Sequence, residues 1–444
     1  MPLSAAPERL GPPPGVAGYR LLNLLEPPRP RRIAASPRAT LLAVITVCVG
    51  AFMGQLDASI VSVALPRMSQ QLHVGVNAAE WVTLSYVLTL VALVVPLGAW
   101  ADAIGRKSLY IGGFVVFTVA SAACAVAPDV ALLCVFRVVQ AVGAALMQAN
   151  SVALIVSVAP REKLGRMVGL QAAAQAIGLA AGPLAGGALL AAGSWRWLFL
   201  VNVPAGVIGV VTATILLPRS RDLAPQRRIG IGSVALFAPA VGLALLALSM
   251  AAHKGALPAA SVVAVVAVAA AGVFVRHERL AAAPLVAPAV LRAPRMVGGL
   301  LSALAGYALL FGTLVAIPLY LTSRGTSSPA NAGLVLATLP VAIGLVAPLA
   351  GRCADRAPLL VARGGLAVSV AALSAIAFLH PLGVGLAAWL GLVGVGLGAF
   401  TPANNRAIML AAPTGATGAA AGLLNMTRGL GTAVGTALAV LLLT

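Results

Sequence analysis

Acidic side chains are the scarcest feature of this sequence: 10 Asp and Glu stand against 29 Lys and Arg in 444 residues. Charged residues of both signs make up only 9 %, too few to cover a water-soluble globule of this length. Cysteines number 4. Cys48, Cys124, Cys134 and Cys353 all sit in or beside apolar segments without ligand spacing, so the reading is buried thiols and no metal site. Cys124 and Cys134 flank a turn at Pro128 and Asp129 and are the one pair placed to approach each other. No GxxxxGK[ST] loop is present, so ATP is not the energy source. Short alternating segments of about ten residues, the mark of a transmembrane barrel, are missing as well.

Hydrophobic residues fill the space, at 61 % and a mean hydropathy of +1.03. Apolar runs long enough to cross a bilayer recur from end to end. The fold class is therefore an all-α polytopic membrane protein, with the lipid bilayer as its first partner. Spans are expected at about 41–65, 80–101, 108–127, 130–158, 165–192, 196–217, 231–251, 258–275, 297–321, 330–352, 358–379, 383–411 and 417–443, thirteen in all.

The net charge of +19 would suggest nucleic acid in a soluble protein, but its placement argues otherwise. Of the 29 basic residues, 22 lie in the amino-terminal tail and in every second loop, and four, Arg67, Arg196, Lys254 and Arg324, in the alternate loops. That asymmetry predicts a cytoplasmic amino terminus, no nucleic-acid partner, and Thr444 on the external face. Residues 1–39 are rich in Pro and Arg and are expected to be a disordered cytoplasmic tail. Arg137, Arg406 and Arg428 remain at or near membrane depth. Arg406, close to a cytoplasmic end, is expected to snorkel, and Arg428 has no acid of its own.

Asp57 is the sole acid within the depth of any span. A charge there costs about 2.5–3.5 kcal/mol on insertion scales, so it needs a partner or a task. Arg137 lies eight residues below Asp129, about 12 Å, and Asp57 nine residues before Pro66, about 13 Å, so the two levels coincide. A pair kept only for insertion is the bland reading; a proton relay is the sharper one.

An internal repeat sets the domain boundaries. Gly98, Asp102, Gly105, Arg106 and Lys107 follow the second span, and Gly351, Asp355 and Arg356 follow the tenth, with the same four-residue interval from Gly to Asp. Residues 40–218 would form one six-helix bundle, 219–296 two inserted helices with cytoplasmic linkers, and 297–444 a second bundle with five helices counted. Asp102 and Asp355 would accept bonds from a neighbouring helix start and act as an inner gate. Gly178, Gly182 and Gly186 form a smooth stripe on span 5, beside Pro183 and Gly187; a packing stripe and a moving bend fit the spacing equally.

In order along the chain, LDASIVSVALP (Leu56–Pro66), GAWADAIGRKSLY (Gly98–Tyr110), RVVQAVGAA (Arg137–Ala145), GLAAGPLAGG (Gly178–Gly187) and SWRWLFLVNVPAG (Ser194–Gly206) resemble the signatures of the major facilitator superfamily, in particular its fourteen-span Emr/Qac-like drug/proton antiporters. Ser62, Ala103 and Ala141 depart from those signatures, and a fourteenth span is not counted. The resemblance implies two bundles rocking about a central cavity. It also implies no enzymatic activity, a proton gradient in place of a cofactor, and a lipophilic small-molecule substrate exported across a bacterial plasma membrane. It makes Asp57 and Arg137 the proton-coupling pair and the Gly178–Gly187 stripe the antiporter bend. Gln140, Asn150, Gln175, Asn425 and Arg428 are the expected cavity lining. A proton-coupled nutrient importer and a non-transporting sensor on the same fold are the other two readings.

Overall fold

The computed structural model describes Glu26 and residues 28–191, 193–219, 230–251, 257–281, 284–285, 293–323, 329–412 and 417–443; the side chains of Asp102 and Pro183, and Thr444 as a whole, lie outside the described residues. The long helices are α1 (Ala39–Gln71), α2 (Val76–Ile104), α3 (Arg106–Ala125), α4 (Val130–Val158), α5 (Leu164–Ala191), α6 (Asn202–Leu216), α7 (Ile231–Ala251), α8 (Leu257–Leu280), α9 (Pro294–Ser323), α10 (Pro329–Ala354), α11 (Pro358–Leu379), α12 (Gly383–Ala411) and α13 (Thr417–Leu443). Among the described residues 12 helices are long and apolar enough to cross a membrane; α13 follows them as a further 27-residue helix. Helix is the only open-ended structure that satisfies every backbone group without water. The punctuation is local. Gly105, at φ 123°, separates α2 from α3 in a conformation that favours glycine, and Asp129 caps α4 by accepting from the Leu132 N–H at 2.8 Å.

The halves repeat in their packing. In the first, α1 lies along α5, and α4 packs between α2 and α3; in the second, α9 lies along α13, and α12 packs between α10 and α11. Small residues make both sets of approaches. A Cβ at Gly178 would strike the Phe52 carbonyl of α1, and one at Gly435 the Ala308 carbonyl of α9. Between the halves α5 packs on α10 and α2 on α13, so the fifth helix of each half meets the second of the other. The inserted α7 and α8 pair with each other, and α7 rests on α2 and α13.

Disorder was expected through residue 39, and from Glu26 on the described chain is docked instead. The Glu26 carboxylate accepts from the Ser108 N–H at 3.0 Å and its hydroxyl at 2.8 Å, which caps the start of α3. Arg29 donates through Nε to the Leu216 carbonyl at the end of α6, at 2.8 Å. These free helix ends, an unpaired N–H group and an unpaired carbonyl, are what a Pro- and Arg-rich segment without a core of its own can bind.

Candidate functional site

Asp57 is completely buried, at 0 % exposure, and four helices besides its own, α2, α3, α4 and α6, supply or brace its donors. Arg137 of α4 donates through Nη1 to Oδ2 at 2.6 Å, and both side chains of the ion pair are fully enclosed. Gln140, one turn further along α4, donates to Oδ1 at 2.9 Å, and Asn202 at the start of α6 donates to the same oxygen at 3.0 Å. Gln140 closes the ring by accepting from Arg137 at 2.6 Å and donating to Ser121 of α3 at 2.8 Å. Arg137 also donates through Nε to the Val82 carbonyl of α2 at 3.0 Å, and its guanidinium lies 4.1 Å from the Tyr86 ring centre. Among the described residues every hydrogen-bond partner of the carboxylate is a donor, a set whose chemistry suits an anion.

The α5 stripe packs on the stretch of α1 that carries Asp57. Gly182 faces Ser59 and Ile60, where a Cβ would come within 2.7 Å of the Ser59 Cβ and 3.0 Å of the Ile60 nitrogen. Asp57 lies on the same turn of α1. The stripe therefore packs inside the first half, and Gly187 is not part of it: nothing lies within 4 Å of a Cβ there.

At the expected inner gate the described contacts come from the second half, the Asp102 side chain lying outside the described residues. Asp355, at the end of α10, accepts from the Gly165 N–H at 2.6 Å and the Arg166 N–H at 3.3 Å, which caps α5 across the interface. Gly165 and Gly351 meet there with no room for a Cβ on either. Arg406 does not snorkel as expected: it is buried, pairs through Nε with Asp355 at 3.2 Å and donates to the Arg161 carbonyl at 3.0 Å. Lys107 also differs from expectation. Instead of lining the gate it is fully buried and donates to the Thr214 and Leu217 carbonyls at 2.8 and 2.9 Å, capping α6 within its own half. Removing the carboxylate by Asp355→Ala is expected to loosen this end. Spin labels at the exposed Lys163 and Arg356 should then show a longer, broader distance distribution than the parent protein; an unchanged distribution would remove Asp355 from the gate.

A family model described as Major Facilitator Superfamily matches residues 47–436. The chain belongs to that superfamily. Among curated relatives, the uncharacterized transporter YebQ of Escherichia coli (strain K12) is 32 % identical over 404 residues, covering 90 % of this chain and 88 % of the relative. The drug efflux pump JefA of Mycobacterium tuberculosis is 31 % identical, covering 89 % of this chain and 79 % of the pump. The riboflavin transporter RibZ of Clostridioides difficile (strain 630) is 28 % identical, covering 89 % and 86 %. Among solved structures, the human organic anion transporter MFSD10 superposes with a TM-score of 0.64 at 15 % identity, over 92 % of this chain and 94 % of that one. The proton:xylose symporter XylE gives 0.57 at 12 % identity, over 89 % and 87 %. The fold and the transporter class, which is not an enzyme class, follow from these matches.

Within this facilitator chain the expected cavity residues separate. Gln140 belongs to the Asp57 ring. Asn150 is fully buried and donates to the Leu146 carbonyl of its own helix at 2.7 Å, and Gln175 is buried on α5. Asn425 and Arg428 stay together on α13, with Arg428 donating to the Asn425 oxygen at 3.0 Å. Asn202, a polar residue in an apolar span, is not among the residues expected at the site. Its place five residues after the Trp197 of the WRW signature, at a helix start, was the signal available. Of the cysteines expected to be buried, Cys124 is, Cys48 and Cys134 are partly buried and Cys353 is exposed, and the four are free.

Proposed function

We propose that this transporter is a proton-coupled antiporter that exports lipophilic small molecules by alternating access, with Asp57 as the group that carries the proton. The observation behind the reading is the sealed ring of Asp57, Arg137, Gln140 and Asn202, which ties one titratable acid to four helices. A proton on Asp57 removes the charge that Arg137 faces, so proton uptake and helix rearrangement must occur together. The Asp355 latch closes one end of the bundle pair in the described conformation. The basic loops at that end support a cytoplasmic placement, so the cytoplasmic end is the closed one in this conformation. Protonation would take place when Asp57 meets the external solution, and release when it meets the cytoplasm. Inward movement of one charge is worth about 2.3 kcal/mol per 100 mV, enough to support uphill export.

The drug efflux pump JefA among the bacterial relatives favours export from a bacterial plasma membrane, and the riboflavin transporter keeps nutrient uptake as a second reading. Direction separates them. In proteoliposomes with an imposed pH gradient, movement of a panel of lipophilic dyes against the proton flux supports the antiporter. Movement with the proton flux would establish a symporter, and no movement of any solute under either gradient would point to a non-transporting protein.

A further inference from the structure

Three arginines lie at membrane depth, and two of them have an acid: Arg137 has Asp57 and Arg406 has Asp355. Arg428 forms no ion pair among the described residues, although it is only 5 % exposed. It stands eleven residues into α13, about 17 Å from the helix start and thus well below a headgroup layer. Its Nη1 is taken by the Asn425 oxygen at 3.0 Å, its Nε has no partner, and its guanidinium carbon lies 5.3 Å from the Tyr307 ring centre. Asn425 is itself held, since its amide donates to the Gln148 carbonyl of α4 at 2.9 Å and to the Ala421 carbonyl at 3.0 Å. The cation is therefore fixed where α13 of the second half reaches α4 of the first.

Stacking near an aromatic ring spreads part of the charge without neutralising it. A buried guanidinium left in that state is costly, and an arriving anion removes the cost. The fork with its Nε edge free matches a planar group with two oxygens. We propose that Arg428, positioned by Asn425 and Tyr307, is the subsite for a carboxylate on the transported molecule, so that the substrates include lipophilic organic acids. The proposal rests on the reading of a small-molecule transporter with its site between the halves, and it does not depend on how transport is coupled.

Binding therefore tests it without any gradient. The purified full-length chain in neutral detergent is titrated by thermal shift with 1-pyrenebutyrate, 2-naphthoate and 4-biphenylcarboxylate, each beside its methyl ester. At least one acid is expected to bind the parent protein about tenfold or more tightly than its ester. Arg428→Gln should erase that preference while ester binding and monodisperse elution persist, because no acid is left unpaired and the Gln amide keeps a donor for the Asn425 oxygen. Arg428→Lys, which keeps the charge and loses the fork, should retain only part of it. A parent protein that prefers no acid of the panel, or a preference undiminished in both variants, would overturn the subsite. Repeating the titration in phosphatidylglycerol and phosphatidylcholine nanodiscs separates a substrate group from a lipid phosphate. Equal preference in both supports the substrate, and loss in phosphatidylglycerol alone would assign Arg428 to lipid and overturn the proposal.

Discussion

Asp57→Asn should bring uphill efflux down to the level of empty liposomes and leave downhill substrate exchange measurable. The amide can still accept from Gln140 and Asn202, whose bonds to Oδ1 are 2.9 and 3.0 Å. At the other oxygen position it presents an N–H to Arg137 Nη1, two donors face to face where an ion pair at 2.6 Å stood. That is the arrangement a protonated Asp57 would produce, so the variant stands for the proton-loaded state held permanently. Arg137→Ala should also fail, for a different reason. It strands a buried carboxylate and destabilises the first half by about 3–5 kcal/mol, read as a lower melting temperature that Asp57→Asn does not share in full. Retained uphill efflux in Asp57→Asn at equal insertion would remove the residue from coupling.

The second large effect concerns helix contact. Gly182→Leu should abolish transport at normal expression, because the added branch must displace the Ser59 and Ile60 turn of α1, two to three residues from Asp57. Overpacking of this kind costs about 1–3 kcal/mol, and here the displacement falls on the coupling ring. Gly187→Leu is the matched control. It carries the same substitution five residues on, into space with nothing within 4 Å, and should transport normally. Equal activity of the two variants would show that the stripe has no bearing on Asp57.

The residues that could be read from sequence are those whose chemistry conflicts with a membrane. Asp57 and Arg137 stood out because each is costly alone, and their common depth predicted the pairing seen at 2.6 Å. The repeat of Gly98–Asp102 in Gly351–Asp355 pointed to the end of the molecule where Asp355 caps α5. What stayed hidden is what only three-dimensional packing decides. Lys107 looked like a loop charge, and its four-carbon stem instead reaches the end of α6. Arg406 looked able to reach solvent, but the α5 start and Asp355 close over it. Asn202 and Gln140 are both amides in apolar helices. Their convergence on one carboxylate oxygen depends on how α6 lies against α1 and α4, which a one-dimensional hydropathy pattern does not carry. Gly431 and Gly435, which have the same four-residue interval as the α5 stripe and are not among the expected residues, make the corresponding contact with α9.

Proton release on substrate binding tests the central claim most directly. Purified protein in weakly buffered detergent, with a pH indicator present, is mixed with a substrate identified in the dye panel. If Asp57 carries the proton that substrate displaces, the parent protein acidifies the solution and Asp57→Asn does not, although both bind the compound. Undiminished release from Asp57→Asn would contradict the account and place the coupling group on another residue.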